Sequence, residues 1–68
     1  MDLGNNIKKL RFEKGNLSQQ ALANAVGVTR LTIHSIENKK FNPSALLALK
    51  IARYFEKPLE DIFFILED

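Results

Sequence analysis

Arg30 stands near Thr29, Thr32 and Lys40, a set of polar and cationic side chains able to grip or read a polyanion. The arginine guanidinium is a planar fork of donors, matched to guanine O6 and N7 or to a phosphate. Covalent chemistry has no comparable basis. His34 is the only histidine, and no Ser, Cys or carboxylate stands at a spacing that would make it part of a catalytic set. One histidine without any cysteine cannot build a metal site, and disulfides are excluded. The sequence points to a binding protein, not an enzyme, with no cofactor and no metal expected.

Charge distribution points the same way. The formal net charge is only +2. Residues 1–55 nevertheless carry nine Lys or Arg against Asp2, Glu13 and Glu37, a balance of +6. Residues 56–68 carry Lys57 against Glu56, Glu60, Asp61, Glu67 and Asp68, a balance of −4. A basic body with an acidic tail suggests a polyanion partner for the body. No apolar run approaches the roughly 20 residues of a membrane span. Met1 to Asn6 lack the basic and apolar regions of a signal peptide. No membrane partner is expected, and the expected location is the cytoplasm, in association with the nucleoid.

The elements that must hold these side chains are helices. A chain of 68 residues has room for one domain, over residues 1–68. The first helix is read from Asn5 to about Lys14, with Ile7, Leu10 and Arg11 on one face, Asn5 or Asn6 as cap and Gly15 as a left-handed stop. Ser18 caps a second helix, Gln19 to about Ala25, that turns Leu22, Ala23 and Val26 inward and breaks at Gly27. Thr29 caps a third, Arg30 to about Asn38, anchored by Ile33 and Ile36. Asn42 and Pro43 are read as the start of a fourth, which runs to Phe55 with a stripe of Leu47, Ala48, Ile51, Ala52 and Phe55. Pro58 opens a short fifth, Leu59 to Phe63, and the tail from Phe63 to Glu67 is apolar and β-prone.

The segment 19–38 has the spacing of a helix-turn-helix. Ala23 is the small residue where the next helix crosses, Gly27 tolerates the turn four residues later, and Ile33 and Ile36 anchor the second helix. Beyond this segment, the chain resembles the Cro/C1-type helix-turn-helix family. The matching stretches include Ile7-Lys-Lys-Leu-Arg11, Leu17-Ser18-Gln19, Gly27-Val28-Thr29-Arg30, Ile36-Glu37-Asn38, Asn42-Pro43-Ser44 and Pro58-Leu-Glu-Asp-Ile-Phe63.

The resemblance implies an all-α, five-helix domain whose third helix enters the DNA major groove. It gives Thr29, Arg30, Leu31, Thr32 and Ser35 to base edges, and His34 on the same helix is added to them as a base-reading candidate. It gives Gln19, Asn38, Lys39 and Lys40 to phosphates, to which the cap residue Ser18 is added as a candidate, and it pairs Arg11 with Glu37 in a buried ion pair. It further implies a transcriptional regulator, read here as a repressor, bound to a palindromic double-stranded operator as a homodimer. A DNA-binding antitoxin or a restriction-system controller would use the same module. Leu31 departs from the pattern, standing where relatives often carry Gln, and Lys39 stands where Gly is frequent. Phe63, Phe64, Ile65 and Leu66 are assigned to the dimer, as a short C-terminal strand pairing with its two-fold copy; within the tail 63–68, consecutive apolar residues cannot leave one face polar. The alternative is that Phe63 and Ile65 fold back on their own subunit, with the dimer formed around Leu46.

Overall fold

The computed structural model describes residues 2–67. The chain order is β1 (Asp2–Asn5), α1 (Ile7–Glu13), α2 (Gln19–Val26), α3 (Arg30–Glu37), α4 (Ala45–Phe55), α5 (Leu59–Ile62) and β2 (Phe63–Leu66). Local chemistry sets most of these boundaries. Ser18 Oγ accepts the Ala21 N–H at 2.9 Å and Thr29 Oγ1 accepts the Thr32 N–H at 3.3 Å, each satisfying a donor that the first turn leaves unpaired. Gly27, at φ 78°, closes α2 in the left-handed conformation that a side chain would oppose.

The apolar stripes converge on one core. Ile7, Leu22, Ile33, Ile36, Ile51 and Ile62 are sealed from solvent, and Leu10, Ala23, Val26, Leu47, Ala48, Ala52 and Phe55 close around them. Fully burying each large aliphatic side chain stabilises by about 1.5–3 kcal/mol. α2 packs on both α3 and α4, so the α2–α3 unit is held to the fourth helix through α2.

Besides strand β1, which takes Asn5 out of the first helix, four features differ from the sequence reading. Helix α4 begins at Ala45, not at Pro43, because Ser44 is extended and its Oγ accepts the Leu47 N–H at 3.1 Å. Asn42 and Pro43 lie in the loop before it. Helices α3 and α4 end on non-glycine left-handed residues, Lys39 at φ 62° and Glu56 at φ 56°. The fifth helix stops at Ile62, where Phe63 turns extended.

The tail is the fourth difference. It is a strand, but it pairs within its own chain, antiparallel to β1, with Asp2 opposite Leu66, Leu3 opposite Ile65, Gly4 opposite Phe64 and Asn5 opposite Phe63. Phe63 is 8% exposed and belongs to this chain's own core, so its assignment to a dimer interface is corrected. Leu66 is half-buried, while Phe64 and Ile65 remain exposed. The tail reading extended to Asp68, which lies outside the described residues.

Candidate nucleic-acid interface

The α2–turn–α3 unit presents one continuous polar surface. Ala23 is fully buried at the crossing, where a larger side chain would force the two helices apart. The Val28 N–H closes the turn on the Ala23 carbonyl at 3.0 Å. Thr29 and Arg30 then emerge exposed at the start of α3, followed by Leu31 and His34, with Thr32 and Ser35 partly covered between them.

Not all of these side chains are free. Thr29 serves as the N-cap, and its hydroxyl lies 3.1 Å from that of Thr32, so the two satisfy each other before any partner arrives. His34 Nε2 lies 3.0 Å from Asn38 Nδ2 one turn on. Arg30 and Ser35 carry the less committed polar groups of this face. Arg30 leans toward α2, with Nη1 donating to Gln19 Oε1 at 3.5 Å, the outer limit of such a bond.

Beneath this surface lies an ion pair. Arg11 donates through Nε to Glu37 Oε2 at 2.7 Å and through Nη2 to Glu37 Oε1 at 3.0 Å. Its Nη1 donates to the Leu17 carbonyl at 2.7 Å. The two side chains are 9% and 6% exposed, so the pair is well shielded from water. Gln19 Nε2 adds a third donor to Glu37 at 3.1 Å. The network joins α1, the loop before α2, α2 itself and the end of α3. Among the described residues, no buried side-chain polar atom is left without a partner.

The sequence placed Gln19 against phosphate. In the structure its amide is spent on Glu37 and Arg30, which leaves the backbone as the better anion donor. Capping at Ser18 satisfies Ala21, and the first N–H groups of any helix lack an acceptor within the helix and can face an anion. Ser18 likewise contributes through its position, since its hydroxyl already accepts from Ala21.

Cations gather at the other end of α3. Lys39 N donates to the Ile36 carbonyl at 3.0 Å and Lys40 N to the Ser35 carbonyl at 2.9 Å, the two bonds of a Schellman stop. This tight turn exposes Asn38, Lys39 and Lys40 together. One component went unnoticed in the sequence. Phe41, 50% exposed, shares an open recess with Leu31, Thr32, Ser35 and Lys40. Its only sequence signal was an aromatic residue directly after two lysines. Lys50 and Arg53 line a separate recess with Asn24, Gly27 and Tyr54.

Comparison with known proteins agrees with this geometry. A helix-turn-helix family profile matches residues 7–62. The chain is 45% identical over 64 residues to the HTH-type transcriptional regulator YgzD of Bacillus subtilis, covering 94% of this chain and 96% of that one. It is 50% identical over 62 residues to an HTH-type transcriptional regulator of Archaeoglobus fulgidus, covering 91% and 86%. It is also 40% identical over 60 residues to the control protein C.MunI of a Mycoplasma, covering 88% and 81%. With the capped α2, the glycine turn and the exposed α3 all in place, the chain belongs to the Cro/C1-type helix-turn-helix family of DNA-binding transcriptional regulators.

Proposed function

We propose that this protein is a repressor that binds a palindromic operator as a homodimer, each α3 lying in the major groove of one half-site. The observation that carries the reading is the arrangement around α3. An exposed Arg30 stands at its start, Lys39 and Lys40 stand at its end, and a buried Arg11–Glu37 pair fixes it against α1. Thr29, Arg30, Leu31, Thr32, His34 and Ser35 face base edges, and the α2 N-terminus and the 38–40 turn hold phosphates on either side. Phosphate contacts set the register and base contacts set the sequence. Occupancy of the promoter then excludes polymerase.

Self-association follows from leftover apolar surface. Leu46 and Ile65 are 64% and 61% exposed, and Leu49 and Phe64 are also uncovered. A second copy covering Phe64, Ile65 and the edge of Leu66 would relieve this exposure. Half-sites would then lie about one helical turn, roughly 34 Å, apart.

Selection of bound sequences from random DNA, then footprinting of the winner, tests the reading. The expected result is a two-fold symmetric motif with two protected half-sites. Sedimentation of Ile65→Asp and Leu46→Asp tests the dimer, and loss of the dimer in Ile65→Asp alone assigns it to the tail. Substitution is preferable to truncation there, because removing residues 63–66 would also remove Phe63 from the core. Similarity to a control protein favours a second reading, a restriction-system controller of the same fold. In that case the selected motif lies in the promoter of this chain's own operon.

A further inference from the structure

The middle of the polar α3 surface holds an apolar notch that none of its structural duties explains. Leu31 is 63% exposed, takes no part in the N-cap and does not reach the core. Phe41, from the loop beyond the helix, is 50% exposed and lines the same open recess. Thr32, Ser35 and Lys40 complete its wall. Two apolar groups left in water within a polar face mark a contact surface. The charge around them, from Arg30, Lys39 and Lys40, suits a phosphodiester backbone.

We propose that Leu31 and Phe41 form a receptor for the 5-methyl group of a pyrimidine, so that each half-site is read at one A·T pair through its thymine methyl. The inference rests on the DNA-reading role proposed above for α3. The thymine methyl is the apolar feature among the base edges of the major groove, and it sits beside the O4 acceptor. The notch presents the complementary pair. Leu31 and Phe41 supply apolar surface, and the Ser35 hydroxyl, which unlike that of Thr32 has no side-chain partner among the described residues, supplies a donor for O4. Lys40 at the rim reaches the phosphate of the same strand. The notch distinguishes thymine from cytosine and uracil by the methyl group, and it would also accept 5-methylcytosine. A side chain with a terminal amide at position 31 would instead require a polar edge.

The test starts from the selected operator. Each thymine is replaced singly by deoxyuridine, and the wild-type protein, Leu31→Ala and Phe41→Ala are titrated against every duplex. Both residues are exposed, so both variants should fold, and their melting curves are compared with wild type. At one thymine per half-site, uracil should weaken wild-type binding about fourfold, the factor for returning one methyl-sized group to water. Leu31→Ala should bind the thymine and uracil duplexes equally, and Phe41→Ala should narrow the difference. Cytosine at that position should weaken wild-type binding, and 5-methylcytosine should recover part of the loss. A selected motif in which no thymine is sensitive to uracil overturns the notch and leaves sequence reading by α3 intact. A uracil penalty that persists unchanged in Leu31→Ala also overturns it, as does a change in self-association in place of base preference. Failure to select any motif overturns the DNA-reading role and the notch with it.

Discussion

Arg11 and Glu37 show how a single pair can decide whether α3 is usable. Both charges are nearly excluded from water, and every strong acceptor and donor between them is matched. Removing one partner strands the other, which costs about 3–5 kcal/mol when the survivor stays buried. That is a large part of the stability of so small a domain. Glu37→Gln and Arg11→Met should each lower the melting temperature sharply, and the double variant should lose much less than the two losses combined. Additive losses in such a cycle would show that the two side chains do not interact.

Under the proposed function, Arg30 and Lys40 differ in kind rather than in strength. Arg30→Ala should cost roughly 1–3 kcal/mol and relax preference at one base pair per half-site, whereas Lys40→Ala should weaken all sequences about equally. Repeating the selection with Arg30→Ala decides this. An unchanged motif would mean that its lean toward Gln19 persists on DNA and that it touches only the backbone. The pairing of Arg11 with Glu37 was legible in the sequence through resemblance to the family. The capture of Gln19 by Glu37 was not, because it depends on side-chain reach across three elements.

The helices were legible to within a residue or two where apolar spacing and a capping hydroxyl agree, as in α2 and α3. They were misplaced where two good caps compete. Asn42 and Ser44 rank equally as caps, and it is Ser44 that takes the extended backbone and whose Oγ accepts the Leu47 N–H. The left-handed stops at Lys39 and Glu56 were hidden because residues with a Cβ rarely occupy that region, at a cost of about 1–2 kcal/mol each. Strand β1 was missed altogether. Leu3-Gly4-Asn5 has little strand propensity, and its conformation is imposed by β2 across from it and by Asn5, whose Nδ2 donates to the Ile36 carbonyl at 3.0 Å. Gly4 is the key position. A Cβ there would stand 2.5 Å from the Phe64 ring and 2.9 Å from Leu66 Cγ, so Phe64 can lie over the strand only because no side chain is present. Gly4→Val should cost about 1–3 kcal/mol through overpacking. Thermal melts monitored by circular dichroism would show it, and a variant as stable as wild type would mean that the ring swings into solvent without penalty.

At the scale of the molecule, the modest net charge conceals a polar division. The basic face carries Arg30, Lys39 and Lys40, while the acidic residues 56–67 cluster on α5 and around it. In the proposed reading, the cations at the two ends of α3 would draw that helix toward the duplex. Operator affinity should fall steeply with salt, and the double-logarithmic slope should shrink by about 1 in Lys40→Ala. Titrations from low to physiological salt measure both. A flat response would remove phosphate neutralisation as the main source of affinity.

The pairing of Asp2 with Leu66 also sets an order of events in time. In refolding, the helix-turn-helix can assemble from neighbouring segments, whereas β1 closes only when residues 63–66 reach it. Contacts of such long sequence separation form late, after loop closure has been offset by other packing. A late contact has little effect on how fast the chain folds and a large effect on how long it stays folded. Gly4→Val should therefore leave the refolding limb of the chevron nearly unchanged and raise the unfolding limb. On this expectation the clasp between β1 and β2 sets the lifetime of the native state, and the speed of reaching it follows the packing of α2, α3 and α4.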